Sequence, residues 1–69
     1  MKRYEYIKYY VNDFAIRKNL ETGEYQVVEN IPDYKILVWG DYGNTMEDLE
    51  QAEKDARKLA MTGMRYAGF

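Results

Sequence analysis

Sixty-nine residues with a formal net charge of −2 suffice for one domain, and this chain has no Cys, no His and no Ser. Those absences exclude disulfides, the usual zinc sites and the Ser, Cys and His nucleophile–base arrangements. At this length a hydrophobic core supplies only about 3–5 kcal/mol, so stability must come from a well-packed helix on a sheet or from oligomerisation.

Residues 1–11 read MKRYEYIKYYV, and Tyr, Ile and Val favour a strand. Strict alternation sets Tyr4, Tyr6 and Tyr10 on one face and Glu5, Ile7, Tyr9 and Val11 on the other. Asn12 and Asp13 can satisfy their own backbone locally, which predicts a turn or bulge. Residues 14–29 carry a hairpin signal: two strand-like runs flank Asn19-Leu20-Glu21-Thr22-Gly23, with Gly23 suited to the left-handed position. Phe14 and Ile16 on one arm, with Tyr25 and Val27 on the other, form one buried face, and Arg17 and Lys18 are expected to oppose Glu24 and Gln26.

Pro32 breaks the connection over residues 30–33. Residues 34–39, YKILVW, are the most hydrophobic run and are expected to form a central or well-covered strand. Residues 40–44, GDYGN, read as a loop leading into the Thr45 cap. Residues 45–63 are the strongly helical stretch. Thr45 and Asp48 are spaced for a capping box, acidic residues lead and basic residues follow, and Gly63 is placed to close the helix. Its apolar stripe is Met46, Leu49, Ala52, Ala56, Leu59, Ala60 and Gly63, flanked by the pairs Glu50–Lys54 and Glu53–Arg57. Residues 64–69, MRYAGF, are too apolar for a solvated tail and are expected to pack back or dock on a partner. Strands followed by one helix predict an α+β domain: an antiparallel three- to four-stranded sheet with a C-terminal helix packed on one face.

Charge is unevenly spread: residues 1–20 carry a net +3, residues 21–53 a net −8 and residues 54–69 a net +3. Eight Tyr, two Phe and one Trp exceed what a small core can use, so some tyrosines face solvent, where large area and low entropy suit them to binding. The carboxylates lie in an acidic run and along a helix face, and 69 residues hardly enclose the cleft a glycosidase pair needs. No enzyme activity and no cofactor are expected. The 40–44 loop lacks EF-hand spacing, so Asp41 and Asn44 read as turn formers rather than cation ligands. The same glycines precede a helix N-terminus, but Asp41, Glu47 and Asp48 would repel a phosphate.

Two surfaces remain. Acidic residues interleaved with tyrosines would match a basic partner, with Tyr25, Tyr34, Asp41 and Tyr42 as contacts and Glu47 and Asp48 at the rim. Alternatively Lys2, Arg3, Tyr4, Tyr6 and Lys8 form a stacking and phosphate-binding strand for nucleic acid, aided by Arg57, Lys58 and Arg65. A structural homodimer joined by the helix stripe, the tail or an edge strand is a third reading.

In its size, acidity, tyrosine content, lack of cysteine and sheet-plus-helix layout, the chain resembles small accessory proteins of phages and other mobile elements, including anti-CRISPR proteins. The resemblance implies an inhibitor that occupies a basic, nucleic-acid-binding surface of a larger protein. It is one of character and carries no site residues. With no leader, membrane-spanning run or lipidation signal in the sequence, the expectation is a soluble cytoplasmic protein that does not engage a membrane. Charge reversal of Glu47 and Asp48 is expected to slow association with a basic partner and flatten its salt dependence; stopped-flow rates unchanged by the reversal would remove the acidic patch from the interface.

Overall fold

A computed structural model describes residues 3–33 and 35–67, with residues 63–67 described through their backbone alone. Four strands, β1 (Tyr4–Tyr9), β2 (Phe14–Asn19), β3 (Tyr25–Ile31) and β4 (Lys35–Tyr42), form an antiparallel meander in the order β1-β2-β3-β4. One helix, α1 (Met46–Ala67), follows and packs against one face of the sheet. This is the α+β arrangement expected from the run of strands ahead of a single helix.

The connections follow from turn chemistry. In the β2–β3 loop Asn19 Oδ1 accepts from the Glu21 N–H at 2.8 Å, and Gly23 adopts a φ of 80°. Gly23 N–H closes the loop on Asn19 O at 2.7 Å. Between β1 and β2 a 3₁₀ turn, Val11–Asp13, holds Asn12 and Asp13 at φ of 62° and 66°, a left-handed region these short polar side chains tolerate. Asn12 Nδ2 also donates to Ala60 O at 2.6 Å, which ties this turn to α1.

The capping box forms as the spacing predicts. Asp48 N–H donates to Thr45 Oγ1, and Thr45 N–H donates to Asp48 Oδ2, both at 3.1 Å. A Cβ at Gly43 would collide with that carboxylate, so glycine is what lets the chain pass the cap.

The core lies between α1 and the middle strands. Phe14, Ile16 and Val27 meet Ala52, Ala56 and Ala60, all of them buried, with Tyr10, Tyr25, Tyr42, Leu49 and Leu59 packed around them. Small alanine side chains let the helix axis come close to the sheet. Ile16, Val27 and Val28 are the largest side chains fully removed from solvent. This core is small even for the length of the chain.

Several expectations are corrected. A bulge between Tyr6 and Lys8 breaks the alternation in β1: Tyr6 opposes Arg17, but Lys8 opposes Ile16 and Tyr9 opposes Ala15. A one-residue slip moves every later side chain to the other face. Tyr9 therefore joins Tyr6 on the helix-free face, where their rings stack 5.6 Å apart, and Tyr10 packs toward α1. Arg17 opposes Gln26, whereas Lys18 opposes Tyr25 rather than Glu24. Glu53 lies 3.9 Å from Lys8 of β1, so its nearest cation is on the sheet. Met46 is 74% exposed and stands outside the buried stripe.

The helix does not stop at Gly63 but runs to Ala67; Gly68 and Phe69 of the apolar tail lie outside the described residues. Gly40, Asp41 and Tyr42 belong to β4 rather than to a loop. Above all, the hydrophobic run is not central. β4 is an edge strand, and its side chains from Lys35 to Trp39 are exposed.

Because Ala56 is fully buried under the helix, Ala56→Leu forces α1 away from Ile16 and Val27. Overpacking of this kind costs about 1–3 kcal/mol, read as a lower urea midpoint with an unchanged m-value.

Candidate protein-binding surface

The sheet has two unlike faces, and the register assigns each residue to one. On the helix side the row Lys8–Ile16–Val27–Gly40 crosses all four strands, with Lys18, Tyr25 and Tyr42 forming a second row. On the helix-free side, Tyr6–Arg17–Gln26–Asp41 forms a polar row and Tyr9–Ala15–Val28–Val38 an apolar one. Arg17 is 9% exposed; its Nε donates to Gln26 Oε1 at 2.7 Å, and its guanidinium lies 3.7 Å from the Tyr4 ring centroid. Gln26 Nε2 in turn donates to Asp41 Oδ1. A cation–π contact and a relayed carboxylate thus compensate a charge that is largely removed from water.

The outer strand is the least protected part of the fold. Ile36, Leu37, Val38 and Trp39 are 44%, 44%, 40% and 47% exposed. β3 opposes Val27 to Gly40 but Val28 to Val38, so Trp39 sits at a bulge. The bulge leaves the indole on the helix side, near Phe14, with its Nε1 donating to Glu29 Oε1 at 3.0 Å. An open groove is lined by Trp39 and Tyr42 of β4 and by Asp55, Lys58, Leu59 and Thr62 of α1. Since α1 rests its alanines over β2 and β3, the helix-side residues of β4, Leu37 and Trp39, remain uncovered. Ile36 and Val38 are exposed on the other face.

The tertiary structure gathers part of the acidic segment. Asn44 Nδ2 donates to Thr22 O at 3.4 Å, and Tyr25 N–H donates to Gly43 O at 3.2 Å. These bonds bring Glu21 and Glu24 of the β2–β3 loop to the same end of the molecule as Glu47 and Asp48. The sequence-selected contacts themselves divide. Tyr25 and Tyr42 face each other in register on the helix side, both half-buried against the core. Asp41 lies on the opposite face, bonded to Gln26. Glu47 is exposed, Asp48 is occupied by the helix cap, and Tyr34 lies outside the described residues. The basic N-terminal set also divides: Tyr4 and Tyr6 line the helix-free face, Lys8 turns to Glu53 on the helix side, Arg3 is exposed, and Lys2 lies outside the described residues.

The exposed apolar edge was missed from sequence because a short apolar run reads the same whether it is covered or not. Strand order decides which of the two it is.

Local bonding sets the titration behaviour. The Thr45 hydroxyl and then its N–H, with a further bond from the Gly43 backbone, hold the Asp48 carboxyl below its ordinary range. The cap is thus intact above that range and is lost as pH falls through the lowered value. Burial, then the Glu53 charge, push Tyr10 up, against the opposing effect of Arg57; its hydroxyl is buried without a hydrogen-bond partner. Burial, then the hydrogen bond its hydroxyl donates to Asp55 Oδ2 at 2.6 Å, push Tyr42 up from 10.0 to about 12.

Among the described residues no group of three or more carboxylates is placed to hold a metal ion, and no helix is long and apolar enough to cross a membrane. No protein-family model matches the chain, and no curated protein or solved structure does so either.

Tyr42 keeps its proton in the folded state at a pH where the unfolded chain has lost it, so its contribution is complete below pH 10 and disappears between 10 and about 12. In a tyrosinate absorbance titration of folded protein, Tyr42→Phe is expected to remove one late-titrating phenol and leave the earlier ones in place.

Proposed function

We propose that this chain is a non-enzymatic protein-binding module that docks through the β4 edge, with its acidic end drawing it toward a basic partner surface. One observation carries the reading. Four consecutive large apolar residues, Ile36 to Trp39, stand exposed on an edge strand with unpaired backbone groups. Soluble proteins usually blunt such edges with charge, proline or a covering element, because an open apolar edge recruits another strand. Contiguous exposed apolar surface of this kind marks an interaction site. Lys35 supplies the only charge at the start of the strand, and Pro32 precedes it, outside the paired segment.

The two parts do different work. Backbone pairing and the Trp39 side chain supply affinity, as buried aromatics usually do. Glu21, Glu24 and Glu47 supply long-range attraction to positive charge and raise the encounter rate. A target that fits is a larger protein whose basic surface holds nucleic acid, and the mechanism is occupancy of that surface. This agrees with the resemblance to small phage and mobile-element inhibitors.

The test is capture of partners by tagged protein from nuclease-treated lysate, comparing the natural chain with Val38→Lys. Lysine is well tolerated on edge strands, so the variant keeps its circular dichroism. It is expected to lose a nuclease-resistant partner, with binding roughly tenfold weaker or worse. Equal capture by both chains would exclude β4 as the docking edge, and recovery that vanishes with nuclease would indicate a nucleic-acid binder instead.

A further inference from the structure

We infer that the strand completing β4 is β4 of a second copy of this chain, joined antiparallel about Leu37 to make one continuous eight-stranded sheet. The inference rests on β4 being the docking edge. In the free protein the second copy holds that edge, and a basic partner drawn in by the acidic ends takes its place.

Self-complementarity is the first argument. Pairing about Leu37 sets Leu37 against its own copy, Ile36 against Val38 and Lys35 against Trp39. Faces agree throughout: Ile36 and Val38 both oppose helix-free residues of β3, Asn30 and Val28, while Lys35, Leu37 and Trp39 alternate onto the helix side. Apolar side chains meet apolar ones as cross-strand pairs. The only charge in the paired segment, Lys35, meets an indole, a favourable cation–π partner, and avoids Lys35 of the other copy.

Neighbouring registers fit worse. Centring on Ile36 sets Lys35 against Leu37. Centring on Val38 sets Ile36 against Gly40, which lies past the Trp39 bulge and on the other face. The bulge therefore limits where a second strand can sit in register.

The second argument is the deficit in the core. Among the described residues the large buried apolar side chains are few, Phe14, Ile16, Val27 and Val28, and the helix contributes alanines to the core. The chain has neither Cys nor His with which to staple a small fold. Oligomerisation is the remaining common device at this size. A two-fold axis perpendicular to the sheet also places both helices on one side. The open grooves beside Trp39 and Tyr42 then flank the new seam, and Leu37 and Trp39 gain cover from the second copy.

The chain has no native cysteine, so Leu37→Cys introduces the sole thiol. Directly opposed residues of antiparallel strands have Cα atoms about 4.5–5.5 Å apart, within the roughly 4.4–6.8 Å span of a disulfide. Under mild oxidation L37C is expected to give a covalent dimer with native circular dichroism, much faster than M46C, a thiol at an exposed position on the helix start. Light scattering of the natural chain is expected to give twice the chain mass at high micromolar concentration, falling on dilution, with L37K monomeric and still folded.

A natural chain that stays monomeric, a dimer that survives in L37K, or L37C linking no faster than M46C would each overturn the second-copy inference. A monomer whose V38K variant still loses its nuclease-resistant partner would leave β4 as a docking edge for a different strand. A monomer indifferent to V38K in the capture assay would remove both readings.

Discussion

The contact of Ala52, Ala56 and Ala60 with Phe14, Ile16 and Val27 is the constraint on which the rest of the structure depends. It decides which face of the sheet is covered and how closely. Alanines allow short separation but bring little apolar area of their own, so the helix secures the middle strands tightly without spreading over the outer ones. β4 is left open as a direct consequence. Its apolar residues are those of a buried strand, placed where none of the described residues covers them.

The polar framework works outward from that contact. The Thr45–Asp48 cap fixes where α1 begins, and the Tyr42–Asp55 bond fixes its distance from β4. Asn12 holds the far part of the helix through Ala60. On the opposite face, where no helix lies, Tyr4, Arg17, Gln26 and Asp41 form a chain of contacts from one edge strand to the other. This face is internally satisfied. There Tyr6 stacks on Tyr9 and the Arg17 guanidinium lies on Tyr4, each contact covering one face of a ring.

In the proposed function, acidic charge and apolar edge serve different stages of association. Charge acts over a Debye length of about 8–10 Å and sets how often partners meet. The edge acts only at contact, through backbone pairing and exclusion of water. Because the acidic residues gather at the end carrying the β2–β3 loop and the helix start, they are separate from the Leu37 midpoint of β4. A molecule built this way can self-associate through one surface and still present the other.

Local chemistry was legible in the sequence wherever a few neighbouring residues suffice. The Thr45–Asp48 spacing, the Asn19–Gly23 loop, Pro32 and the alanine stripe determined by themselves where elements begin and which side of the helix is buried, because caps, turns and periodicity depend on backbone groups a few positions apart. Only the tertiary structure decided what depends on partners distant in the chain. The bulge after Tyr6 exchanged the faces of Tyr9 and Tyr10, since register is set by the strand opposite and not by alternation alone. The edge position of KILVW followed from strand order, and strand order is a matter of which neighbours pair. Tyr25 and Tyr42 came together while Asp41 turned away for the same reason. Hydrophobicity states that a segment is to be covered; the fold decides whether its own chain does the covering.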